Sequence, residues 1–294
     1  MTLPPRFGYA APRSLDEAVR VLQARGDEAK VLAGGQSMIP LLKLRVGAPA
    51  LLVDIQKLPG LDYVEESGGF LRVGALTRVA ALCRSDLVRR KYQALHDASL
   101  TVADPLVRNL GTVGGNLCHG DPANDLPAVM LAMGGELVAT GPAGARTVRA
   151  DGFFVDTFTT ALARDEILTE ARVPSPPPRS GGVYLKVEQK VADFATAAAA
   201  VQVTLDRGSG CAYVGIGLAG VGATAIKAKK AEEAMAGREP TDRKAVAEAA
   251  GLAAEASSPV SDIRGTAEYK KRLVRLLVAR GLEKAGERAR RGAR

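Results

Sequence analysis

The 294-residue sequence has no tryptophan, 4% aromatic residues, two histidines and three cysteines. So few aromatics leave little with which to stack unpaired bases, and nucleic-acid binding of that kind is not expected. Cys83, Cys118 and Cys211 are odd in number and far apart, which fits neither a disulfide framework nor a paired-cysteine centre. The chain is therefore expected to hold no metal and no iron–sulfur cluster of its own. His96 and His119 stand in no Ser-His-Asp or H-E-x-x-H pattern, and the adjacent Cys118 and His119 lack partners at ligand spacing, so hydrolytic and zinc chemistry find no support. No apolar run approaches the ~20 residues of a membrane span, and residues 1–6 lack a charged segment followed by an apolar one, so a cytoplasmic location is expected. Neither G-x-G-x-x-G nor G-x-x-x-x-G-K-S/T occurs, which argues against nicotinamide and ATP sites of those types.

What is present is an ordinary globular composition, 47% apolar and 24% charged, in a chain long enough for two or three compact units. The net charge of +8 collects in Lys227 to Lys230 and in the tail 280–294, where basic residues solvate the surface or dock onto an acidic partner.

Ser14 to Glu17 has capping-box spacing, and Ala18, Val19 and Leu22 follow at helical intervals before Gly26. With strands at 30–33 and 51–55 and a helix at 38–45, residues 1–57 read as a small strand-helix-strand unit. Residues 58–176 mix strands at 70–73 and 135–140 with helical faces at 79–82 and at Leu87 and Val88, and Asp104-Pro105 starts a turn. The prolines at 174 and 176–178 can neither continue a helix nor donate to a central sheet, so they mark a junction. In 177–294, strands at 183–187, 197–205 and 213–218 suit an antiparallel sheet. Helices at 231–235, 243–256 and 267–285 follow, the last with Tyr269, Leu273, Leu276 and Leu277 on one face. The fold class is α+β.

Two paired-glycine motifs carry most of the functional information. Ala33-Gly34-Gly35-Gln36-Ser37 follows the apolar Val31-Leu32, and Thr112-Val113-Gly114-Gly115-Asn116 follows Leu110-Gly111. Each reads as a turn whose backbone N–H groups can crowd an anion that a Cβ would keep away. One Gly-Gly pair alone marks a plain turn more often than a ligand site; two in successive units favour a diphosphate cradle. Asp125 suits either hydrogen bonds to a polyol hydroxyl or a helix cap before Leu126-Pro127. Lys186 and Lys190 flank a strand and serve either to neutralise an anionic cofactor or simply to face solvent; Phe194 by default is a core aromatic.

Five strings, Leu32-Ala-Gly-Gly-Gln-Ser-Met-Ile-Pro40, Gly111-Thr-Val-Gly-Gly-Asn116, Gly120-Asp-Pro-Ala-Asn-Asp-Leu-Pro127, Asp193-Phe-Ala-Thr-Ala-Ala-Ala199 and Ser261-Asp-Ile-Arg-Gly-Thr-Ala-Glu-Tyr269, together resemble the FAD-binding medium subunits of the molybdenum hydroxylases, the xanthine dehydrogenase superfamily. Within that family the pattern is similar to the aerobic carbon monoxide dehydrogenase type, over nearly the whole chain. The resemblance implies a vanillyl-alcohol-oxidase-type FAD-binding fold in two N-terminal α/β subdomains, 1–57 and 58–176. A carbon monoxide dehydrogenase flavoprotein C-terminal domain of antiparallel sheet and helices, 177–294, would follow.

It further implies that the FAD diphosphate lies on the backbone of Ala33, Gly34, Gly35, Gln36 and Ser37 and of Thr112, Val113, Gly114, Gly115 and Asn116. Asp125 would hold the ribityl or diphosphate region, with Leu32, Met38, Ile39, Val102 and Leu168 packed around the cofactor, Lys186 contacting it and Phe194 near the isoalloxazine. A large partner subunit carrying molybdopterin and a small one carrying [2Fe-2S] clusters are implied, in a dimer of heterotrimers that is cytoplasmic or peripheral at the inner membrane face. Electrons would pass through FAD to an external acceptor such as a quinone, and no catalytic acid or base is expected on this chain. Gln36 replaces a His of the carbon monoxide dehydrogenase pattern and cannot carry its charge; Phe194 replaces a Tyr and keeps the ring face without the hydroxyl. The resemblance implies that substrate contacts lie on another polypeptide, so carbon monoxide, aldehydes, purines and other N-heterocycles all stay open. A self-sufficient flavin oxidase, or a non-catalytic scaffold docking through its basic C-terminal helix, are the readings outside this scheme.

Overall fold

A computed structural model describes residues 3–291; residues 1–2 and 292–294, the latter ending the basic tail, lie outside it. The first segment holds β1 (Gly8–Ala10), α1 (Leu15–Arg25), β2 (Ala29–Leu32), α2 (Met38–Lys43) and β3 (Leu51–Asp54). Its parallel sheet has the order β1-β3-β2. Ser14 caps α1 by accepting the Glu17 N–H at 3.2 Å, while the Glu17 carboxylate accepts the Arg13 N–H at 2.7 Å. The three-residue β1 is too short to show a period and was not expected.

The second segment comprises β4 (Val64–Ser67), β5 (Phe70–Gly74), α3 (Val79–Arg84), α4 (Asp86–Lys91), α5 (Gln93–Thr101), α6 (Pro105–Leu110), α7 (Val113–His119), α8 (Asp125–Ala132), β6 (Glu136–Gly141), β7 (Gly144–Arg149), the small hairpin β8 (Phe154–Asp156) and β9 (Thr159–Thr160), and β10 (Ile167–Pro174). Its main sheet runs β4-β5-β10-β6-β7 with antiparallel pairs. Asp104 caps α6 through the Val107 N–H at 2.9 Å, with Pro105 in the first turn, so the expected turn is a helix start. The strand β10 sits at the centre of the sheet yet carries Glu170, which is buried. Tyr63 and Arg172 hydrogen-bond that carboxylate and Arg72 pairs with it at 2.6 Å, so the charge is compensated rather than avoided.

The third segment holds β11 (Ser180–Val187), β12 (Ala197–Leu205), β13 (Cys211–Ala219), β14 (Ile226–Lys227), α9 (Lys229–Met235), α10 (Arg243–Ala256) and α11 (Ala267–Arg291), with an antiparallel sheet in strand order. Every residue of β12 is buried because both faces are covered. Ala197, Ala199, Val201 and Val203 join the core under α9 to α11, whereas Ala198 and Ala200 join the core of the second segment. The helix α8 is buried throughout between these layers. In α11, Leu273 and Leu277 are buried, but Tyr269 and Leu276 are largely exposed, which corrects the expected single face. No helix of the described residues is long and apolar enough to cross a membrane.

Candidate functional site

A cavity of about 710 Å³ is lined by residues of all three segments, inside the range of roughly 300–1,000 Å³ usual for cofactor and ligand sites. The β2–α2 connection forms one wall. Among the described residues, none of the backbone N–H groups from Ala33 to Met38 has a protein acceptor. Gly35 turns the chain with φ +74°, and successive N–H groups left free in this way form an anion nest. The Gln36 amide braces the loop by donating to the Gly34 carbonyl at 3.2 Å. A Cβ on Gly34 would lie 2.2 Å from the Leu110 carbonyl oxygen, so that glycine is required by the close approach of the end of α6.

The second motif behaves differently from expectation. Thr112 is an N-cap and Gly114 and Gly115 lie in the first turn of α7. The Val113 N–H donates to Thr77, Gly114 to Ala75, Gly115 to the Thr112 hydroxyl and Asn116 to the Thr112 carbonyl, at 2.9–3.0 Å. Of this segment only the Thr112 N–H lacks a protein acceptor among the described residues, so a second backbone nest is corrected to a helix start. Its glycines serve packing: a Cβ on Gly114 would sit 2.7 Å from both Cβ and O of Ala75. Asn116 lines the cavity, and its buried Oδ1 has no partner among the described residues.

Asp125 opens α8 behind the N-cap Asn124, so the cap alternative does not hold; its carboxylate crosses to β11 instead. The Tyr184 hydroxyl donates to Oδ1 at 2.6 Å, and Lys186 Nζ lies 3.2 Å from the same oxygen. That ammonium also donates to the Thr101 carbonyl at 3.0 Å and pairs with Glu188 at 3.3 Å. These partners surround the ammonium, and the side chain does not line the cavity. Lys186 therefore holds Asp125 in place from behind the cavity wall. Burial pushes the Asp125 carboxyl up to about 6, against the opposing pull of Lys186 and Tyr184.

The consequence for stability has a definite sign. A carboxyl raised on folding binds a proton that the unfolded chain has already lost, so its contribution falls as pH rises from about 4 to about 6 and is level above that. The stability of the wild type minus that of Asp125→Asn should thus drop by about 2–3 kcal/mol across this window, as measured by urea unfolding at its two ends. A constant difference would show that Asp125 is not protonated on folding.

Of the other expected residues, Ser37, Met38, Val102, Leu168 and Phe194 line the cavity with the glycine loops. Leu32 and Val113 are buried in the core behind the lining, and Ile39 turns to the surface at 42% exposure. Among the lining residues that sequence reasoning missed, Ala103, Phe158 and Ala192 are non-glycine residues with φ of 43°, 56° and 72°. Strained backbone of this kind collects at functional sites and leaves no compositional signal. His119 also lines the cavity, its ring 5.1 Å from that of Phe158, and burial lowers its pKa more than Asp121 raises it. Burial pushes the Cys118 thiol to about 12, which makes it inert.

A nest for anionic oxygens, a buried carboxylate and aromatic faces, without a paired nucleophile and base, suit a protein that binds a cofactor. Residues 5–176 match the family described as the FAD binding domain in molybdopterin dehydrogenase, and residues 183–285 match the CO dehydrogenase flavoprotein C-terminal domain. The chain is 39% identical to the carbon monoxide dehydrogenase medium chain of Afipia carboxidovorans, over 98% of this chain and 99% of that one. It is 37% identical to the 6-hydroxypseudooxynicotine dehydrogenase complex subunit alpha of Paenarthrobacter nicotinovorans, over 98% and 97%. Its fold superposes on reconstituted CO dehydrogenase from Oligotropha carboxidovorans with a TM-score of 0.95 at 39% identity, covering 98% of this chain and 100% of that one. The class is thus a flavoprotein. The chain belongs to the FAD-binding medium-subunit family of the molybdenum hydroxylases.

Proposed function

We propose that the chain is the electron-transfer subunit of a heterotrimeric molybdenum hydroxylase, receiving electrons from [2Fe-2S] clusters on a small partner and passing them to an external acceptor, in the first instance a quinone. The holoenzyme is read as an aerobic carbon monoxide dehydrogenase with molybdopterin on a large partner, assembled as a dimer of heterotrimers on the cytoplasmic side, in solution or peripheral to the membrane. The observation that carries this reading is the run of N–H groups from Ala33 to Met38 without acceptors beside the cavity, which suits a diphosphate. FAD, when bound, supplies exchange between one-electron and two-electron partners.

The division 1–57, 58–176 and 177–294 brings one functional element from each part to the cavity. The nest from Ala33 to Ser37, with the Thr112 N–H, would hold the diphosphate, and the Asn116 side chain and Asp125 would meet polar groups beside it. Gly114 and Gly115 let α7 approach, and Met38, Val102, Leu168 and Phe194 would supply apolar walls. Leu32, Val113 and Ile39 would act only through the packing of these neighbours, and Lys186 through Asp125.

The purified full chain should show a flavin absorption spectrum and release one FAD per chain on denaturation, and adding both partner subunits with carbon monoxide should bleach it. A chain that retains no flavin alone or with both partners would overturn the reading. A second reading, an N-heterocycle or aldehyde dehydrogenase of the same family, draws on the comparable identity to the 6-hydroxypseudooxynicotine enzyme. Bleaching by such a substrate and not by carbon monoxide would select it.

A further inference from the structure

Two of the five strings that carry the family resemblance, 193–199 and 261–269, meet in space. The loop from Glu188 to Thr196 joins β11 to β12 and lines the cavity with Ala192, Asp193 and Phe194. Its tip is open to solvent, with Val191 at 91% exposure, and Ala192 is in the left-handed region. Beyond Glu188, which pairs with Lys186 at the base, two side-chain contacts tie it down: Gln189 Nε2 donates to the Ile263 carbonyl at 2.7 Å, and Arg264 Nη2 pairs with Asp193 Oδ1 at 2.9 Å. The Arg264 guanidinium carbon also lies 6.0 Å from the centroid of the Phe194 ring.

Both contacts come from one turn, and that turn is firmly built. Asp262 and Gly265 exchange backbone hydrogen bonds at 3.1 Å, and the Asp262 carboxylate accepts the Arg264 N–H at 2.8 Å and pairs with the buried Lys270 at 2.7 Å. The Ser261 hydroxyl accepts the Ala267 N–H at 2.9 Å, joining the turn to the start of α11. A stiff turn anchored on a helix thus extends one cation onto a loop with little support of its own. Arg264 Nε is buried without an acceptor among the described residues, so the Asp193 pair and the ring contact are what orient the guanidinium.

We propose that Arg264 is a positioning residue that, through Asp193, holds the aromatic face of Phe194 over the cavity and so limits the access of solvent and electron acceptor to the flavin. The inference rests on the FAD reading above. The holding function is separable from it, because the loop can be followed with or without cofactor.

The test compares the full-length wild type with Arg264→Met, Arg264→Lys and Asp193→Asn, using hydrogen exchange of peptides covering 188–196 and iodide quenching of flavin fluorescence. Losing a charge-assisted contact should speed exchange in this loop by roughly tenfold in Arg264→Met and Asp193→Asn, without a change in β11 or β12. Iodide quenching should rise in the same two variants at unchanged FAD content. Arg264→Lys keeps the charge pair without the planar fork and should exchange within about threefold of wild type. Wild-type exchange in both disruptive variants would overturn the proposal, as would faster exchange with unchanged iodide access, since the loop would then be free without uncovering the flavin. Should Arg264→Met fail to fold, Asp193→Asn removes the same pair from the loop side. A wild type without FAD would defeat the functional reading, while the exchange data would still decide whether Arg264 holds the loop.

Discussion

Gly217→Ala should cost the protein more than about 3 kcal/mol of stability, one methyl group doing the damage of a large overpacking. The Cβ it introduces would lie 1.9 Å from the Ala128 carbonyl oxygen and 2.8 Å from its carbon, and both belong to backbone that cannot swing aside. Two residues earlier, Gly215 meets the Ala132 carbonyl oxygen at 1.8 Å in the same way, so β13 and α8 touch along two successive inward positions of the strand. Relief requires α8 to move as a unit. Because Asp125 begins α8 and is held from β11 by Tyr184 and Lys186, that movement also pulls apart the polar cluster beside the cavity. Gly217→Ala should therefore lower the urea midpoint and the retained FAD together. Gly251→Ala is the matched control: Gly251 lies inside α10 with open space around it and should gain about 0.5–1 kcal/mol. Equal midpoints for Gly217→Ala and wild type would mean that the two layers are not in this contact.

The same contact shows where sequence reasoning loses its grip. The α10 and β12 boundaries read from sequence coincide with those observed, because an alanine-rich run bounded by Asp242 and Ser257 and an apolar run of strand length each have one sensible interpretation. The helix α8 has two, since it is apolar on every side and contains Pro127; only the layers packed around it decide. The glycine pair of α7 looks like a turn, because glycine is a poor helix former, and the helix becomes visible only when Gly114 is seen against Ala75. Glu170 conceals β10 for a related reason: its partners Tyr63 and Arg72 come from far away in the chain. In the site, the turn from Ala33 to Ser37 was legible because paired glycines after an apolar run are a local signal. The role of Lys186 was not, since a lysine in isolation says nothing of the oxygens of Thr101, Asp125 and Glu188 that surround it.

Gly35→Val should abolish FAD binding while leaving the fold in place. Gly35 has φ +74°, a region that a β-branched residue avoids, and its Cβ would come within 2.8 Å of Ile39 Cδ1. The contact is with the end of a flexible side chain, so the backbone conformation decides the outcome: valine drives the turn out of the left-handed region and the consecutive N–H groups cease to converge. Each donor lost from a charged acceptor weakens binding by about 1.5–3 kcal/mol, so two of them amount to at least roughly a hundredfold in Kd. The loop itself connects β2 to α2, and its N–H groups satisfy no protein acceptor among the described residues, so global stability should change by no more than about 2 kcal/mol. Strain alone is controlled by Gly68→Val, where φ is +59° in the β4–β5 connection with nothing nearby. Fluorescence titration of the flavin-free full chain with FAD separates the two: Gly68→Val should bind as wild type does and Gly35→Val should not. Undiminished affinity in Gly35→Val would remove the nest from the binding site and leave the cavity without its diphosphate cradle.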